Sequence, residues 1–332
     1  MRLSDAILSS PHRIAIPVLT FPGGQITGTT VREMVHDPAK QVAAQLALRD
    51  RFRTDALLSA MDLSAEAEEF GASIMYSDEE VPAVTGRLVT DMNGAAAIPV
   101  PRQGSKRTAV YLKTIEELAR HASGQPVLGG LIGPFSLAGR LFGVSESLLA
   151  TAMEPETIEL LVQKATTYLI DYARGFREAG ADGVVMAEPT AGLMSPQYVE
   201  QFSSPYVRKI REAVETDSFQ IILHNCGAKL NHLEAKLQSG ARLLHFGRPM
   251  DLPAALAAVD RNVILGGNLD PAEVFVNGSP EFVASRTEAL LEATAGRKNF
   301  FLSSGCDIPY AASLRNLEAF FETVRRWGRS VT

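Results

Sequence analysis

The sequence predicts a single (β/α)8 barrel domain spanning residues 1–332. Short apolar runs recur along the chain, eight in all, and most lead into a helical stretch. These runs are almost continuously apolar, as parallel strands buried on both faces must be. No glycine fingerprint of the dinucleotide-binding kind follows the first of them, which counts against an open doubly wound sheet.

The first run, 14–20, ends in the glycine-rich Pro22-Gly23-Gly24-Gln25-Ile26-Thr27-Gly28, a strand opening into a loop. Asp37-Pro38 starts a helix, with aspartate as N-cap and proline in the first turn. A second strand is expected at 56–62. Residues 71–107 are less regular, with prolines and short alternating pieces, and are expected to form an insertion over the barrel mouth. From 113 onward the alternation is clear. Strands are expected at 127–134, 181–189, 221–227, 241–246, 263–270 and 300–306, with helices between them and a terminal helix over 314–327.

Apolar residues make up 46% of the chain and charged residues 21%, an ordinary soluble composition. A net charge of -6 with no basic cluster argues against a nucleic-acid partner. No run reaches the ~18 apolar residues of a membrane span, and Met1-Arg2-Leu3-Ser4-Asp5 lacks the apolar region of a signal peptide. Two cysteines make no disulfide framework, so a reducing, cytoplasmic setting is expected.

The chemistry gathers at the expected strand ends, where barrels carry their active sites. In Leu223-His224-Asn225-Cys226-Gly227, side chains two apart share a face, so His224 and Cys226 point the same way. The other cysteine closes a similar phrase, Ser303-Ser304-Gly305-Cys306. One imidazole and two thiols favour Zn2+ and leave a fourth position open. A redox disulfide between Cys226 and Cys306 is the competing reading, although no Cys-x-x-Cys motif is present. Glu188 and Asp307 are expected to act catalytically, and His245, Asn268 and Asp270 to contact substrate. Each also has a structural reading. Glu188 at a strand end serves equally to cap the next turn, His245 to satisfy the core, Asp270 before Pro271 to cap a helix, and Asp307 as a loop carboxylate. His232 is expected to point away from the mouth, and His12, His36 and His121 carry no expected role.

With these residues in place, the chain resembles the uroporphyrinogen decarboxylase superfamily, in particular its zinc-dependent corrinoid methyltransferase branch of the methylcobamide:coenzyme M type. The resemblance rests on His224-x-Cys226 with Cys306, on Gln25-Ile26-Thr27-Gly28-Thr29-Thr30 followed by Met34, and on Gly180-Ala181-Asp182 leading to Glu188-Pro189. It also rests on Gly266-Gly267-Asn268-Leu269-Asp270-Pro271 and on Ser304-Gly305-Cys306-Asp307-Ile308-Pro309. It implies a (β/α)8 barrel that holds zinc and moves a methyl group between a methylated corrinoid (methylcobalamin or a small corrinoid-binding protein) and a thiol or tetrahydrofolate. The alternative is a metal-free lyase of the decarboxylase kind acting on a carboxylated tetrapyrrole. Members of that kind bear an arginine-rich N-terminal motif, and the matching region, 17–28, contains no arginine.

Overall fold

The apolar runs form a curled parallel sheet in the computed structural model, which describes residues 2–330. Met1 and residues 331–332, included in the expected domain, lie outside the described residues. The strands are β1 (Leu57–Leu58), β4 (Val127–Ile132), β5 (Gly183–Ala187), β6 (Gln220–Asn225), β7 (Leu243–Phe246), β8 (Ile264–Leu269) and β9 (Phe300–Ser304), adjacent in that order. The antiparallel pair β2 (Ser73–Met75) and β3 (Ala83–Thr85) stands apart from them.

The run 14–20, expected as the first strand, is the eighth stave but pairs as a single bridge, Ala15 to Leu302. Ile16 N donates to Leu302 O at 2.9 Å and Leu302 N to Ile14 O at 2.9 Å. Pro17, whose nitrogen faces β1 as Ala15 N does, has no N–H to offer a ladder there. Toward β1, side chains replace it. Asp55 Oδ2 accepts Ala15 N at 2.8 Å, Gln45 Oε1 accepts Leu58 N at 3.2 Å, and Gln45 Nε2 donates to Leu19 O at 3.0 Å. Gln41, one turn earlier on the helix Pro38–Phe52, accepts Ala60 N at 2.7 Å. The two glutamines sit four residues apart on one helical face, which is the spacing this stitching needs.

The barrel interior is a layer of Ile16, Val18, Leu58, Leu128, Val185, Ile222, Leu243, Ile264 and Phe301. Leu3 and Ile7 join that layer from the helix Leu3–Ser9, an element without a counterpart in the sequence-based expectations. Because strand side chains alternate, the residues two beyond Ile222, Leu243 and Phe301 also face inward. These are His224, His245 and Ser303, so a polar layer lies directly above the apolar one. Around the rest of the chain, residues 71–107 are tied to neighbouring helices. Leu88 N and Val89 N donate to Leu141 O at 2.9 and 3.0 Å, and Lys164 Nζ donates to Ala96 O and Ile98 O at 2.7 and 2.6 Å. Among the described residues, no helix is long and apolar enough to cross a membrane.

Candidate metal centre

His224 is the fifth residue of β6, buried and in register with His245 of β7. Cys226 follows immediately, on a turn made by Asn225. The Asn225 amide Nδ2 donates to Glu188 O at 2.6 Å, and its Oδ1 accepts Gly227 N at 3.1 Å. Cys306 stands beyond β9. The two ligand loops approach each other across glycines. A Cβ at Gly247 would lie 2.2 Å from Cys226 O, and one at Gly305 would lie 3.1 Å from both Gly247 Cα and Arg248 N. Any larger side chain at these points would push the cysteine loops apart.

The outcome is a cluster in which one nitrogen of His224 and the sulfurs of Cys226 and Cys306 all lie within 4.8 Å of one another. Both cysteines are free thiols. His224 Nδ1 is 2.6 Å from His245 Nδ1, whereas His224 Nε2 is buried without any hydrogen-bond partner. A buried lone pair with nothing to accept is costly unless it binds something. This is the donor set and the unsatisfied atom that a zinc ion would use. The proximity of the two thiols pulls the Cys226 pKa below the usual thiol range and pushes that of Cys306 above it.

The other expected site residues fall into two sets. Asp307 stays at the cluster, next to Cys306. It accepts from Thr20 Oγ1 at 3.0 Å, and burial pushes its carboxyl well above the usual range. The remaining four are engaged by the fold. Glu188 ends β5 fully buried. It accepts Phe135 N and Ser136 N at 2.9 Å each and Ser136 Oγ at 2.6 Å, capping the helix Pro134–Phe142. Gly133 leaves it room, since a Cβ there would meet Glu188 Cγ at 2.1 Å. His245, expected to contact substrate, lies beside His224 with both ring nitrogens taken. Asn268 Nδ2 donates to Gly247 O and Met250 O at 3.2 and 2.8 Å, and Asp270 caps the helix Pro271–Val276 through Ala272 N and Glu273 N at 3.0 and 2.9 Å. His232, expected to point away from the mouth, is buried, bonding Lys229 N at 3.1 Å and Met194 O at 3.0 Å.

Three contributors escaped the sequence-based expectations. Asn225 shapes the ligand turn, Ser303 supports His245, and a buried network of Asp62, Arg107 and Tyr111 fills the opposite side of the mouth. The signal for the first two was positional: Asn225 lies between two ligands, and Ser303 lies two residues beyond an inward-facing phenylalanine.

Fold and cluster together give a parallel barrel that gathers one imidazole and two free thiols at its C-terminal strand ends. The uroporphyrinogen decarboxylase (URO-D) family profile matches residues 11–327, and the chain belongs to that family. It is 30% identical over 278 residues to the methylcobamide:CoM methyltransferase MtbA of Methanosarcina mazei, covering 82% of this chain and 80% of that protein. It is 28% identical over 264 residues to a methylated-thiol–coenzyme M methyltransferase of the same organism, covering 78% of this chain and 69% of that one. A solved methyltransferase structure from Methanosarcina mazei superposes with a TM-score of 0.86 at 22% identity, covering 97% of both chains, which establishes the fold.

Proposed function

We propose that this enzyme is a zinc-dependent methyltransferase that moves a methyl group between a corrinoid and a thiol. The observation that carries the reading is the unpartnered Nε2 of His224 beside two free thiols at the strand ends. His224, Cys226 and Cys306 would hold the zinc, which when bound supplies a Lewis acid able to keep an incoming thiol deprotonated at neutral pH. The chain's own residues do the rest. Asn225 and the glycine contacts hold the two cysteine loops at ligating separation. Asp307, beside Cys306, accepts from Thr20 Oγ1, and burial pushes its carboxyl up, which lessens the negative charge it brings to the two sulfurs. Glu188 is assigned a structural role, since its carboxylate is spent on the helix N-terminus.

The corrinoid is assigned to a small partner protein. Loops after β5 and β6 expose Leu193 and Leu230, 65% and 41% accessible, and these loops meet at Gly192 and Gly227, next to Cys226. Such an apolar edge at the mouth suits a docking protein. Free thiols in the site also suit a reducing, cytoplasmic setting. The test is metal analysis of the purified chain followed by demethylation of methylcobalamin, read by its absorbance, with a panel of thiols and with tetrahydrofolate. Stoichiometric zinc and turnover with a thiol are expected. Turnover with folate alone would move the acceptor, and a zinc-free protein that binds carboxylated tetrapyrroles would overturn the reading.

A further inference from the structure

We infer that His245 and Ser303 are positioning residues that set the tautomer of His224 and so leave Nε2 as the nitrogen offered to a metal. Ser303 Oγ lies 2.7 Å from Ile16 O and 2.7 Å from His245 Nε2. A hydroxyl has one proton and a carbonyl can only accept, so that proton goes to Ile16 O. Toward His245, Ser303 must then accept, which places the His245 proton on Nε2. The neutral ring has a bare Nδ1, and it sits 2.6 Å from His224 Nδ1. For that contact to be a hydrogen bond, His224 donates from Nδ1. Its remaining nitrogen, Nε2, is therefore a lone pair.

The opposite polarity is disfavoured on two counts. It would place the His224 proton on Nε2, a buried atom that makes no hydrogen bond. It would also make His245 a cation, buried and stacked on Phe301 at 5.8 Å between centroids, with neither ring nitrogen bonded to a carboxylate. The relay thus runs from the 14–20 stave through β9 and β7 to β6, and a backbone carbonyl on one stave dictates which nitrogen is available on another. Histidine ligands ordinarily donate their second nitrogen to a carboxylate or carbonyl. Here the acceptor is another histidine, which works only because Ser303 fixes its tautomer.

The value of the relay rests on the zinc reading above, so the test separates the two. Ring 15N NMR of the full metal-free chain reports each tautomer directly. His224 protonated on Nδ1 and His245 on Nε2 are expected, and a His224 proton on Nε2 overturns the relay even if zinc binds. Zinc affinity is then read by competition with a chromogenic chelator. His245→Phe should weaken binding by ~10–100-fold. His245→Asn, whose Oδ1 occupies roughly the place of Nδ1 and can accept from His224, should recover most of that loss. Ser303→Ala should fall between. Equal losses in the Phe and Asn variants, with unchanged melting temperatures, would overturn the relay. A wild-type chain that shows the expected tautomers yet binds no zinc would instead remove the metal reading.

Discussion

On the β1–β5 side of the mouth, the Asp62 and Glu188 carboxylates are answered by neighbouring groups; on the β6–β9 side a buried nitrogen is left unanswered near two free thiols. Asp62 accepts from Ser64 N, Ser64 Oγ and Tyr111 OH at 2.9, 2.6 and 2.7 Å and pairs with Arg107, whose Nε reaches Glu68 at 2.6 Å. Glu188, on the same side, caps a helix. Across the barrel, His224 Nε2 has no partner and Cys226 and Cys306 have each other. Both sides are strand-end polar layers. In the first, Asp62 and Glu188 are fully engaged and Glu66 Oε2 lacks a partner; in the second, the bare atom is an imidazole nitrogen near two thiols. Partner counting at the individual atom separates them, where residue type does not.

The sharpest way to break this contrast is to remove a ligand. Cys226→Ala should reduce zinc from stoichiometric to trace and methyl transfer by ~10³-fold or more, with little change in melting temperature. Metal analysis and the demethylation assay check both. Arg107→Ala should do the reverse, costing about 3–5 kcal/mol of stability by stranding Asp62 in the interior. Denaturant melts measure that cost, and zinc per folded chain should be unchanged.

Glu66 sharpens the comparison through pH. It is buried and accepts Ile132 N at 2.9 Å, while its other oxygen has no partner. Burial raises its pKa from 4.5 to about 8. The native state then holds a proton that the unfolded chain releases, so its contribution to stability is full at low pH and is lost as pH rises through about 8. Melting temperature should decline from pH 5 to pH 8, and Glu66→Gln should flatten that decline. A parallel slope in the variant would remove Glu66 as its source. The smallest effect belongs to Asp270→Ala, which should cost about 1 kcal/mol as a lost N-cap and leave thiol KM unaltered. A raised KM with unchanged stability would return Asp270 to the substrate side.

That His224, Cys226 and Cys306 come together was legible because it depends on little besides strand parity and the rarity of these residues. His224 and Cys226 are two apart on a strand end, and Cys306 is the other cysteine in the chain. Glu188, His245, Asn268 and Asp270 share the same strand-end address, but address alone does not say whether a polar atom meets protein or ligand. The register of neighbouring strands decides that, by placing His224 opposite His245 and Asn268 opposite Ser303. The short pairing of the 14–20 stave was equally hidden, because Gln45 and Asp55 reach it from a helix and a loop whose docking no local pattern reveals.

By itself, then, the sequence determined the parallel barrel, through apolar runs at strand length separated by helices, and the meeting of one histidine with two cysteines, through spacing and scarcity. Only the tertiary structure decided which polar groups are satisfied and which nitrogen of His224 is bare. Hydrogen-bond partnership is a property of atoms brought together from distant staves, and it does not exist until the barrel closes.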